Sequence, residues 1–85
     1  MKVTYDAGAG AVYVELAEGE HGRTVAVDEG TNVDLDSGGR LLGIEVLAPG
    51  TPWPLAEIMR RWEIGSEDAT MLMRLYPLSF RVQVA

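Results

Sequence analysis

Hydrophobic and polar residues alternate with period two in five short stretches, "KVTYD", "AVYVELA", "RTVAVD", "TNVDLD" and "LLGIEVL", separated by Gly-rich or acidic breaks. A strand with one buried face requires such alternation, because successive side chains leave the pleat on opposite sides. If consecutive strands form hairpins, loop length fixes which residues are opposed, and a slip of one residue turns the whole apolar set outward. A two-residue turn at Gly38 and Gly39, both suited to positive φ, sets Leu35 opposite Leu42 and Val33 opposite Ile44. A connection through Glu29, Gly30 and Thr31 sets Val27 opposite Val33 and Val25 opposite Leu35. "GEHG" then sets Leu16 opposite Val25, and "AGAG" sets Tyr5 opposite Val12 and Val3 opposite Val14. All these turns agree on one buried face, made of Val3, Tyr5, Val12, Val14, Leu16, Val25, Val27, Val33, Leu35, Leu42, Ile44 and Val46.

A sheet apolar on one face needs a cover, and the rest of the chain supplies one. In "TPWPLAEIMRRWE", Leu55, Ile58, Met59 and Trp62 fall at helical spacing, with Pro54 near the first helical position. After a break at Ile64 and Gly65, Ser66 is a good N-cap, and Glu67 and Asp68 suit the positive end of a helix dipole. The second helix is expected from Glu67 to Tyr76, ended by Pro77, and "LSFRVQVA" alternates again as a sixth, C-terminal strand. The expected fold is α+β: an antiparallel five-stranded meander with two C-terminal helices on one face. Residues 1–85 read as a single domain, with 1–47 as sheet meander and 48–85 as helical cover and last strand.

Size sharpens this picture. Eighty-five residues remove only roughly 60 to 65% of the unfolded surface from water, and the chain has no cysteine for a disulfide or thiolate metal site. Burial against a second copy is a natural supplement to so thin a core, so a homodimer is expected. The fifth stretch strengthens that expectation, since Leu41 and Leu47 make a presumed edge strand apolar on both faces. Met71 and Met73 broaden the second helix beyond one stripe, so candidate oligomer contacts are Leu41, Leu47, Met71, Met73, Phe80 and Val82. A net charge of −6 and a pI near 4.5 oppose nucleic-acid binding and favour a basic protein partner. No apolar run approaches membrane-spanning length, which fits a cytoplasmic protein with no membrane partner.

The registers that define the core also define the opposite face. One row across it is Lys2, Glu15, Ala26, Asp34 and Gly43; the next is Thr4, Tyr13, Asp28, Asn32 and Glu45. Asp34 between Ala26 and Gly43 predicts a recess with an acid at its floor. Tyr13, Asp28, Asn32, Asp34 and Glu45 are therefore the candidate binding face, for a small ligand or a hard cation held through oxygen. The bland alternative is a solvated outer face of an antiparallel sheet. His21, the single histidine, sits between acidic and glycine neighbours in "GEHG" and reads as a loop residue and a poor general base. One histidine and no cysteine assemble no nucleophilic triad and no His-pair metal site, and "DAGAGAV" lacks the lysine of a phosphate loop. No catalytic residue, dedicated metal site or cofactor is expected.

"YDAGAGAVYVEL" followed by "RTVAVDEGTNVDLDSGGRLLGIEVL" resembles the small bacterial domain-of-unknown-function family twenty-two eighty-three over residues 3–47. The family pattern runs Tyr-Asp, a short acidic turn, Ala-x-Tyr-x-x-Leu, then Val-Asp and Gly-Ile-Glu; this chain has Gly8 and Gly10 where acids usually stand in the first turn. The resemblance implies a small sheet domain without an established activity. Some relatives look like companions of small toxin-like proteins, which implies an antitoxin-style binding role.

Overall fold

The structure, a computed structural model, describes residues 1–78. The sixth strand expected after Leu78, with the contacts expected of Phe80 and Val82, lies outside the described residues. The strands are β1 (Lys2–Asp6), β2 (Ala11–Glu15), β3 (His21–Asp28), β4 (Thr31–Asp36) and β5 (Leu41–Val46), followed by helices α1 (Leu55–Arg61) and α2 (Ser66–Leu75). All four strand pairings are antiparallel, and the fold is the expected α+β sheet with two helices after it.

The strand order is β1-β2-β5-β4-β3, which corrects the pairing expected across "GEHG". β5, not β3, lies against β2, and Val14 is opposite Ile44. β5 is therefore central rather than an edge. Five of its six residues are buried, as suits a strand flanked on both edges, and only Glu45, on the outer face, is partly exposed.

The first hairpin holds the expected register, with Lys2 opposite Glu15 and Tyr5 opposite Val12. Tyr5 is nonetheless 42% exposed, since it stands on an edge strand near the end of the sheet. The other two hairpins differ at their tips. Asp28 pairs with Thr31 around a Glu29–Gly30 tip, a bulge follows, and Val25 then faces Val33 while Arg23 faces Leu35. The Asp36 side chain accepts hydrogen bonds from the Gly38 and Arg40 amides at 2.9 and 2.8 Å, and Gly39 takes φ 87°. This is a three-residue loop with its glycine in the left-handed region. A bulge beside it pairs Leu35 with Leu41. Leu41 thereby turns into the core at 4% exposure and is not the outer-face oligomer contact expected of it; Leu42 is buried beside Gly19 instead.

On the covered face, Val12, Val14, Val33, Leu35, Leu41, Ile44 and Val46 meet Trp53, Leu55, Ile58, Leu72 and Leu78 in one cluster, against which Val3, Leu16, Val25 and Val27 pack partly buried. α1 shows the expected stripe, with Leu55 and Ile58 buried and Met59 and Trp62 half-buried. Ser66 is the first helical residue of α2; Gly65 occupies the cap position and no side chain caps it. The approach to α1 is tied to the end of α2 by Tyr76, whose hydroxyl accepts the Trp53 N–H at 3.0 Å and donates to the Trp53 carbonyl at 2.8 Å. The Trp53 indole N–H donates to the Pro77 carbonyl at 3.1 Å. No helix among the described residues is long and apolar enough to cross a membrane.

Candidate functional site

The outer face of the sheet carries a chain of hydrogen bonds across four strands. Because β5 lies between β2 and β4, Tyr13 and Asp34 stand about two strand spacings, roughly 10 Å, apart. Gly43 of β5 lets them meet. It sits opposite Asp34 and diagonal to Tyr13, and a Cβ there would collide with the Tyr13 hydroxyl and come within 2.9 Å of Cε1 of the ring. The phenol crosses this bare backbone and donates to Asp34 Oδ2 at 3.0 Å. From the other side, Thr24, directly opposite Asp34, donates to Oδ1 at 2.6 Å. His21 Nε2 lies 2.9 Å from the Thr24 hydroxyl and 3.5 Å from Asp34 Oδ1. Since the hydroxyl proton goes to the carboxylate, the bond from His21 runs from Nε2–H to the Thr24 oxygen, which fixes the tautomer by its network.

This arrangement replaces the expected recess. Thr24, not Ala26, is Asp34's neighbour on β3, because the β3–β4 register is displaced by two residues, a slip that keeps every side chain on its face. Both Asp34 oxygens are engaged, and its side chain is 27% exposed. Asn32 is opposite Glu45 and donates to it at 3.1 Å. Asp28, by contrast, is not in this row: it stands at the hairpin tip, where Oδ1 accepts the Gly30 amide at 2.9 Å. The structure thus brings together Tyr13, Asn32, Asp34 and Glu45, leaves Asp28 outside, and adds Thr24 and His21. The Glu29–Gly30 tip moves the register by one residue and the bulge between Ala26 and Asp28 by one more, and together they place Thr24 beside Asp34.

The chemistry of the cluster is that of a rigid acidic surface. Burial pushes the Tyr13 phenol up to about 12, helped by its hydrogen bond to Asp34 and by the charges of Asp34, Glu15 and Glu45. At neutral pH it is a donor, not a phenolate nucleophile. Among the described residues no group of three or more His, Cys, Asp or Glu side chains is placed to hold a metal ion. Beside Tyr13, a groove of about 290 Å³ is lined by Thr4, Asp6, Ala9, Glu45 and Leu47 among others. Leu47, 44% exposed, belongs to this groove, whereas Met71 and Met73, 45% and 56% exposed, lie on α2.

A five-stranded antiparallel sheet, covered by two short helices on one face and crossed by an acidic hydrogen-bonded network on the other, defines a small α+β protein with an ordered polar face. The chain belongs to the family described as Protein of unknown function (DUF2283), which matches residues 2–48, the five strands and the hairpins that order them. No curated protein and no solved structure matches it.

Proposed function

We propose that the protein is a single-domain, homodimeric protein-binding module whose acidic surface receives a basic partner. The observation that carries the dimer is the apolar surface on the outer side of the helices. Met71, Met73, Leu75 and Tyr76 are 37 to 56% exposed. Met73 and Tyr76 join Trp53, Leu55 and Met59 around a cleft of about 400 Å³, with Glu57 and Arg60 at its rim. A twofold axis through such a patch brings it against itself, so that each copy's Arg60 meets the other's Glu57. Apolar surface of this kind is what a small core gains most from covering. The net charge of −6, with Glu15, Asp34 and Glu45 all acting on Tyr13, supports the basic partner.

Sedimentation of the wild type and of Met73→Glu tests the dimer. The wild type is expected at twice the 9.2 kDa chain mass and the variant, which sets a carboxylate near Glu57 on an exposed helix position, at the monomer mass. A monomeric wild type would leave the second reading, a small-ligand site in the groove beside Tyr13 and Glu45, as the better one.

A further inference from the structure

A second cleft opens at the β3–β4 turn, on the helix side of the sheet, with a volume of about 410 Å³. Its wall is apolar where Val46 and Trp53 line it, and acidic where Asp28 and Glu29 stand at the turn; no Lys, Arg or His lines it. Asp28 uses Oδ1 to hold the Gly30 amide, which leaves Oδ2 free of that bond. Neither Asp28 nor Glu29 has a cationic partner among the described residues. Thr31, on the inward face of β4 and 1% exposed, lines the same cleft, and its hydroxyl makes no hydrogen bond among the described residues. Since no sealed side-chain polar atom is left unpartnered, the little of Thr31 that remains accessible includes its hydroxyl, at the cleft wall. A nearly buried hydroxyl with no partner, beside two unpaired carboxylates and an indole wall, is a site with one missing group: a cation on an apolar stem.

We infer that this cleft binds an alkylammonium group, its stem against Val46 and Trp53 and its charge between the Asp28 and Glu29 carboxylates, with the Thr31 hydroxyl accepting an N–H. The same chemistry arrives on a lysine side chain of a partner protein or on a free diamine. The inference stands apart from the dimer, because the two clefts share Trp53 alone.

Chemical-shift titration of the isotope-labelled full chain with n-butylammonium tests it. The expected result is a saturable shift of the Trp53 indole N–H and of the Glu29, Gly30 and Thr31 amides, weakened by salt. n-Butanol, which has the stem without the charge, is expected to leave these signals in place. Asp28→Asn keeps an acceptor for the Gly30 amide, and it and Glu29→Gln should each weaken binding about two- to fivefold, the range for an exposed ion pair. Putrescine and Nα-acetyl-lysine methylamide separate the sources: tighter binding of the lysine derivative assigns the cleft to a partner side chain, and tighter binding of putrescine to a free diamine. Equal shifts with butanol, no saturation with n-butylammonium, or undiminished binding by the variant carrying both Asp28→Asn and Glu29→Gln would each overturn the inference. Insensitivity of wild-type binding to salt would do so without any variant.

Discussion

The Tyr13 hydroxyl is the residue on which the outer face turns, because it reaches across a whole strand to Asp34. Its raised pKa has a direct consequence for stability. A phenol whose folded pKa lies above its ordinary value of 10.0 favours the protonated native state, so the stabilisation is complete below pH 10 and is lost as pH rises towards about 12. Tyr13→Phe removes the hydrogen bond and the titration together. At neutral pH the variant is expected to be less stable by about 0.5–1.5 kcal/mol, the net value of one such bond. Urea melts should show that gap closing between pH 10 and about 12, and phenolate absorbance should lose its component with a midpoint near 12. A gap that stays constant through this window would show that Asp34 and burial do not hold the proton. Much of this site was legible beforehand: Tyr13, Asn32, Asp34 and Glu45 share a face under any register that keeps the valines inward. Thr24 and His21 were not. Period-two alternation is blind to a slip of two residues, so it cannot distinguish Ala26 from Thr24 as Asp34's neighbour. The tip and the bulge beside it decide together, and "AVDEGT" carries no signal for that bulge.

At the scale of elements, the hairpins and helices follow from local pattern, whereas their arrangement follows from burial. β5 shows the difference. Its two-sided apolar character pointed to an uncovered edge or to a central position with equal force, and the sheet takes the central one, with β2 and β4 on its flanks. The "GEHG" connection then spans from β2 to an outer strand instead of closing a hairpin. The Gly38–Gly39 pair likewise signalled a turn without its length, and the Asp36 side chain, by accepting two amides, selects the longer loop that turns Leu41 inward. The helices owe their attachment to a contact with no sequence signature: Tyr76 and Trp53 are 23 residues apart, yet one hydroxyl satisfies both backbone groups of Trp53, with the rings 5.2 Å between centroids. Tyr76→Phe keeps the ring contact and strands the partly buried Trp53 N–H, while the Trp53 carbonyl still accepts the Leu55 amide at 2.8 Å. It is expected to destabilise the fold by about 1–3 kcal/mol, read as a lower urea midpoint with an unchanged slope. A loss within error of zero would mean that water replaces the hydroxyl and that the ring alone holds α2 to the approach of α1.

For the whole molecule, the two faces have opposite characters, and this sets what can be learned from stability alone. The sheet's outer face is polar and internally bonded, so it gains little from being covered. The helix face leaves Met73 more than half exposed on an 85-residue chain whose core consists of a single layer of contacts between sheet and helices. If two copies cover that face, folding and association are one equilibrium, and the melting temperature depends on protein concentration. Each tenfold rise in concentration adds about 1.4 kcal/mol per dimer. With the unfolding entropy of a unit of this combined size, that corresponds to roughly 3–6 °C. The wild type is expected to show this rise and Met73→Glu to melt at one temperature whatever the concentration. At a fixed concentration, low salt should raise the wild-type melting temperature relative to Met73→Glu if the Glu57 and Arg60 pairs cross the twofold axis, since exposed ion pairs are screened as ionic strength increases. A wild type whose melting temperature is flat across a hundredfold range, on the order of two such tenfold steps, folds alone. The apolar helix face would then have to be explained by a different partner chain, one whose addition raises the melting temperature where added wild type does not.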